Sequence, residues 1–219
     1  MSDVPFSAAE FFAVFSAYNQ AVWPAQAALV AIAMVAAGLL FVGRPWADRL
    51  VTGALAVLWA WTGVAYHLLF FAPVNPAAWV FGSLFVVEAL LFAHAGTRGA
   101  LDFRPRAGPA SAVAAFLVLY ALVIYPMLGP LTGHPYPAMP TFGAPCPVVI
   151  FTFGVLLTAR SPVPLRLLFV PFAWGMIGIS AVVGFGVIQD LGLVLSALIA
   201  TPWLVLRGRR MRAATPAAA

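Results

Sequence analysis

Glu88 is the residue of this chain with the most direct route to chemistry. It lies about 11 residues into an apolar run from Ala77 to His94, and no Lys or Arg lies in any apolar run to pair with it. At helical rise that is roughly 17 Å deep, near the midplane of a hydrocarbon layer about 30 Å thick. Desolvation there favours the neutral acid, unless water or a polar neighbour such as Thr62, Tyr120, Tyr125 or Thr152 reaches it. An intramembrane carboxyl is by default an ion, proton or ligand site, and a protonated structural hydrogen bond is the equal alternative.

Four more candidates collect toward one end of the apolar runs. His67 sits about one turn inside the end of the run Leu50 to Phe71, His134 and Tyr136 lie in a proline-rich stretch, and Cys146 occupies a helix-start position with Pro147 at N1. A helix N-terminus favours a thiolate, so this lone cysteine is a candidate reactive group. It could also join His67 and His134 around a soft metal, although the spacing matches no metal motif. The plainer reading is a small cap residue beside two histidines bonded to carbonyls. Glu88, His67, His134, Tyr136 and Cys146 therefore form the candidate binding set, with no catalytic residue, metal or cofactor assigned.

The elements that must position them are membrane helices. Hydrophobic residues make up 64% of the 219 residues and charged ones 8%, with a mean hydropathy of +1.03, which excludes a water-soluble fold. Seven spans are expected in one integral-membrane domain: Trp23 to Val42, Leu50 to Phe71, Ala77 to His94, Ala110 to Leu128, Cys146 to Ala159, Leu167 to Gly184, and Leu191 to Leu206. All eleven basic residues are arginines, and they fall after the first span (Arg44, Arg49), the third (Arg98, Arg104, Arg106), the fifth (Arg160, Arg166) and the seventh (Arg207, Arg209, Arg210, Arg212). The loops Ala72 to Pro76, Gly129 to Pro145 and Phe185 to Asp190 contain none, nor does the segment before Trp23. The positive-inside rule then sets the N-terminus outside and the basic tail, 207–219, in the cytoplasm. The net charge of +5 is an orientation signal and a contact with anionic headgroups of the lipid bilayer; nucleic acid is not an expected partner.

Residues 1–22 carry only acids, Asp3 and Glu10, and lack the basic start of a signal peptide. Ser7 and Glu10 read as a capping box with Phe6 and Phe11 as its staple, so a helix is expected from Ala8. Phe11, Phe12, Phe15 and Tyr18 share a face while Glu10, Ala13 and Asn19 lean elsewhere, the pattern of a short amphipathic helix in the outer interface. A flat anchor is preferred to a lid over a site.

Six prolines between Pro130 and Pro147 forbid a regular helix there, and the fifth span, about 14 residues or about 21 Å, is too short to cross unaided. The favoured solution is a dip of irregular backbone into the outer leaflet, shielded by protein or lining a water-filled vestibule. His94 reads as a helix C-terminal residue, Asn75-Pro76 and Asp190 as helix starts. Gly175, Gly178, Ser180 and Gly184 suit close packing, and Trp23, Trp79 and Tyr136 an interfacial belt.

With no lysine, retinal cannot be held by a Schiff base. His67 and His94 fall at opposite faces of the membrane, which argues against haem, and no hydrolase, zinc-protease or nucleotide motif and no internal repeat is visible.

Several blocks carry a family resemblance: Phe11 to Asn19 with Ala21 to Gln26, Tyr66 to Phe71 with Asn75 to Ala78, Gly133 to Gly143 with Pro145 to Pro147, and Gln189 to Gly192. They resemble a family of small bacterial multi-pass membrane proteins of unknown function. The resemblance implies a bacterial cytoplasmic-membrane protein and adds no mechanism. Richness in alanine, glycine, proline and arginine without lysine fits a GC-rich genome.

Two function classes follow. In the first, a small solute or ion enters an outward vestibule near His67, His134, Tyr136 and Cys146 and meets Glu88 at mid-depth. In the second, the chain is a structural subunit that docks a membrane partner or a second copy. A metal-dependent redox role is the weaker third.

Overall fold

The computed structural model describes residues 6–214, so Asp3 and tail residues 215–219 lie outside it. The described residues form helices without strands: α1 Ala8–Val22, α2 Ala25–Leu39, α3 Pro45–Trp61, α4 Ala78–Thr97, α5 Pro109–Leu119, α6 Tyr125–Leu131, α7 Pro145–Leu157, α8 Arg166–Phe185 and α9 Asp190–Ala214. A π-helical segment, Thr62–Phe71, prolongs α3, and a second, Tyr120–Ile124, joins α5 to α6.

Each expected span has a helical counterpart, but not always one of crossing length. Among the described residues five helical columns are long and apolar enough: Pro45–Phe71, Ala78–Thr97, Pro109–Leu131, Arg166–Phe185 and Asp190–Ala214. The first expected span becomes α2, 15 residues, which reaches that length only together with α1 across an 86° bend. The fifth becomes α7, 13 residues, which starts at Pro145 and gives way to a bridge between Phe103 and Ala159.

The arginine-bearing ends meet at one end of the bundle. Asp48 Oδ1 accepts from Arg104 Nη1 at 2.8 Å and from the Phe103 amide at 3.0 Å. The Arg160 amide donates to Asp102 O at 2.8 Å, and Arg207 Nη1 to Leu157 O at 3.3 Å. Arg44, Arg98 and Arg166 stand at the adjoining termini of α3, α4 and α8.

α7 is the axis of the molecule, and all of its residues are buried. Trp59 Nε1 of α3 donates to its Thr152 Oγ1 at 2.9 Å. α8 meets α9 through glycines, since a Cβ on Gly175 would stand 2.3 Å from Ala197 Cβ and one on Gly178 2.8 Å from Leu193 Cδ2. The small-residue reading stops there: Gly184 faces open space, and Ser180 is exposed and bonds its own helix at Ile177 O.

Helix α6 runs through Pro130 to Leu131, and no helix covers 132–144. The far part of this stretch turns back into the protein, with Met139, Pro140, Phe142, Gly143 and Ala144 buried. Buried backbone without helix or sheet needs other hydrogen-bond partners, and α1 and the π segment after α3 supply them, with Gln26 of α2 bracing their side chains. Asn19 Nδ2 donates to the carbonyls of Pro137 and Met139, both at 2.7 Å. Gln26 Nε2 donates to Asn19 Oδ1 at 2.6 Å and to Thr141 Oγ1 at 2.7 Å, and Thr141 Oγ1 donates to Asn19 Oδ1 at 2.7 Å. Gly143 O accepts from Tyr18 OH at 3.0 Å and from Thr62 Oγ1 at 3.2 Å, while Trp61 Nε1 donates to Tyr18 OH at 2.7 Å. Gly143 itself has φ +104°, and a Cβ there would meet Leu29 Cδ1 at 2.6 Å. Asn19, set apart from the apolar face of α1 by its spacing, is thus fully buried and central.

Replacing Asn19 with Ala leaves the buried Met139 carbonyl and the part-buried Pro137 carbonyl without this donor, a loss of roughly 1–3 kcal/mol. The expected outcome is a lower thermal midpoint in detergent and faster proteolysis within 132–144; unchanged values would contradict the assignment.

Candidate functional site

At the arginine-free end, α1 lines one side of a cavity of about 280 Å³. Ser7 and Glu10 form the expected capping box: the Ser7 amide and hydroxyl each donate to Glu10 Oε2 at 2.8 Å, and the Glu10 amide donates to Ser7 Oγ at 3.3 Å. The staple is present as well, with the Phe6 and Phe11 rings 6.1 Å apart.

The helix so started is a roof. Phe6, Phe11 and Phe15 line the cavity. Phe11 stacks on Phe185 of α8 at 4.4 Å, and Phe6 lies 5.3 Å from Phe185 and 5.5 Å from Phe71. The flat-anchor expectation gives way here, because the aromatic face of α1 turns toward α8 and the end of the first π segment instead of outward.

The floor is polar. Asp190 opens α9, is 1% exposed, and gives both carboxyl oxygens to other elements. Oδ1 accepts from Tyr125 OH at 2.5 Å and Oδ2 from the Cys146 thiol at 3.3 Å. Tyr66 and Trp174 line the same cavity. The sequence reading of Asp190 as a helix cap is therefore incomplete: its side chain ties α6, α7 and α9 together beneath an aromatic chamber. Tyr120 adds a second tie, donating to Gln189 O at 2.8 Å.

Both π segments serve this floor. In the second, the Tyr125 amide donates to Tyr120 O, five residues back, and the widened turn leads Tyr125 toward Asp190. In the first, the Ala72 amide donates to His67 O at 2.9 Å. Such turns are rare and gather at functional sites.

The five candidates separate. Cys146 lines the cavity, at the second position of α7 and not at its cap, and its thiol acts as a hydrogen-bond donor instead of the thiolate expected from a helix start alone. His67 is buried behind the wall, its ring 4.9 Å from Trp174, 4.7 Å from Phe85 and 6.0 Å from Phe81, and neither ring nitrogen has a hydrogen-bond partner. Glu88, one turn along α4 from Phe85, is fully buried, also has no hydrogen-bond partner, and does not line the cavity.

The partners expected for Glu88 are engaged elsewhere: Thr62 with Leu58 O and Gly143 O, Tyr120 with Gln189 O, Tyr125 with Asp190, and Thr152 with Trp59. His134 and Tyr136 do not reach the chamber. His134 stacks on Phe12 at 3.8 Å, and the half-exposed Tyr136 donates its hydroxyl to Asn19 O at 3.3 Å, so both pin the proline-rich stretch to α1. His67, His134 and Cys146 are not brought together as ligands, and among the described residues no group of three or more His, Cys, Asp or Glu could hold a metal ion.

The Cys146 thiol has the Asp190 carboxyl as its hydrogen-bond acceptor, and His67 bonds neither of them. The cavity combines apolar aromatic walls with a few convergent polar groups. Replacing Tyr125 with Phe strands Asp190 Oδ1 without its donor and should cost about 1–3 kcal/mol in thermal unfolding. Replacing Cys146 with Ser keeps a donor at Oδ2 and should change stability much less. Equal effects would contradict this ranking.

Comparison with known proteins comes to one result. Neither a curated protein nor a solved structure matches the chain. The model of the family of unknown function DUF6064 matches residues 8–215, and the protein belongs to that family.

Proposed function

We propose that this chain is a seven-span protein of the bacterial cytoplasmic membrane that binds or passes a small solute through an outward-facing vestibule. The N-terminus lies outside and the C-terminus in the cytoplasm, as the positive-inside rule requires of arginines gathered at one end of the bundle. In this reading α2 counts as a span together with its bend into α1, and α7 together with the buried stretch before it, which makes up the depth that 13 helical residues lack.

One observation carries the proposal. The cavity under α1 ends on a buried carboxyl, phenol and thiol, those of Asp190, Tyr125 and Cys146, at the end without arginines. Glu88 and His67 lie in the helices behind it as polar groups without hydrogen-bond partners, the arrangement of side chains held for an ion, proton or ligand. His134 and Tyr136 act at the rim by fixing the roof.

The second reading, a subunit docking a membrane partner or a second copy, draws on the groove of about 600 Å³ between α2 and α5, lined by Met34, Phe41, Leu119 and Val123.

Two measurements separate these readings. A small membrane-impermeant methanethiosulfonate applied outside intact cells should modify Cys146; failure to react, with permeability controls in order, contradicts the vestibule. Replacing Glu88 with Gln should abolish solute uptake with assembly intact, whereas unchanged uptake with altered co-purification favours the subunit reading.

A further inference from the structure

We infer that the chamber selects a small organic cation with an apolar body, an amine or a quaternary ammonium. This rests on the vestibule reading and adds the chemical class of its ligand.

The walls give the first argument. Phe6, Phe11, Phe71, Phe81, Trp174 and Phe185 surround the space, and aromatic faces attract a cation by their quadrupoles while accepting an apolar body. A volume of about 280 Å³ lies just below the usual range for small-molecule sites and suits a body of about one ring.

The floor gives the second. Asp190 is nearly fully buried, and its two donors, Tyr125 OH and the Cys146 thiol, carry no positive charge. The other polar groups lining the chamber, from Tyr66, Asn75, Trp174 and Ser180, carry none either. Arginines stand at the opposite end, where Arg104 pairs with Asp48 in the only salt bridge among the described residues. A buried carboxyl facing an aromatic space with no cation of its own leaves that position to the ligand.

The alternatives fit less well. Helix capping does not account for Asp190, whose oxygens bond α6 and α7 instead of the first amides of α9. An anion would meet the carboxyl directly, and the first turn of α7 is poor in amide donors because Pro145 and Pro147 stand there. A wholly apolar ligand leaves Asp190 without a charge partner and gains nothing from its position.

The ammonium could belong to a free solute or to a lipid headgroup, and the test separates them. Full-length protein in phosphatidylglycerol nanodiscs is titrated calorimetrically with benzyltrimethylammonium, with the near-isosteric neutral benzyl dimethyl carbinol, and with phenylacetate, against empty nanodiscs. Protection of Cys146 from a methanethiosulfonate locates the binding.

The expected result is saturable binding of the cation that protects Cys146, at least tenfold tighter than the carbinol, with no binding of phenylacetate. Replacing Asp190 with Asn should remove the preference of cation over carbinol while carbinol binding persists. Replacing Phe185 with Ala should weaken the cation severalfold, a second variant that leaves the floor intact. Loss of cation binding when phosphatidylethanolamine replaces phosphatidylglycerol supports the same chemistry with a lipid as its source.

Equal affinity for cation and carbinol on the native protein overturns the inference and leaves the vestibule standing. Absence of all binding with Cys146 still reactive from outside likewise overturns only the ligand class. Absence of binding with Cys146 unreactive removes the vestibule as well.

Discussion

The structure depends on how one irregular stretch of backbone is kept from being buried without hydrogen-bond partners. Residues 139–144 lead into α7 as buried non-helical chain, and the carbonyls of Pro137, Met139 and Gly143 accept from Asn19, Tyr18 and Thr62. An unsatisfied buried carbonyl costs enough to unmake a local arrangement. Because the donors sit on α1 and the π segment after α3, those elements must lie against the stretch, and the rest of that end of the bundle is arranged around them.

Much follows from this. α7 is short and wholly buried, and the chain that leads into it is held by side chains of α1 and the first π segment. Pinned by Tyr18 and Asn19, α1 must point its phenylalanines across the neighbouring gap toward Phe71 and Phe185, which turns an interfacial helix into a roof. The same fixing of α7 places Cys146 within reach of Asp190, and Tyr125 closes the floor from α6. Charge is segregated accordingly, with guanidinium groups at one end and a carboxyl with neutral donors at the other.

Local signals in the sequence were legible and global ones only in part. Ser7 and Glu10 announce a helix start because the motif is satisfied within four residues. The arginine pattern identifies one end of the bundle, and Pro135, Pro137 and Pro140 announce the break after α6 because proline cannot donate, although Pro130 lies within α6 and Pro145 and Pro147 open α7. Asp190 was legible only as a helix start: its partners are 65 and 44 residues away, and spacing along one helix says nothing of them. Asn19 falls off the apolar stripe, yet its amide is buried because the backbone it serves comes from 118 and 120 residues further on. Glu88 was read correctly as buried without a cation, but four polar neighbours judged able to reach it are claimed by nearer acceptors and donors. Periodicity also gave no sign of the π segments, which shift the facing of Tyr66, His67 and Tyr125.

The measurement that bears most directly on this account is amide hydrogen exchange of the full chain in nanodiscs, resolved across residues 132–157. The account predicts that the amides of 141–144 exchange far more slowly than those of 132–138, and that Asn19→Ala raises the rate within 132–144. Fast exchange of 141–144 in the unsubstituted protein would mean that this stretch is open to water, and the roof and chamber built on it would lose their support.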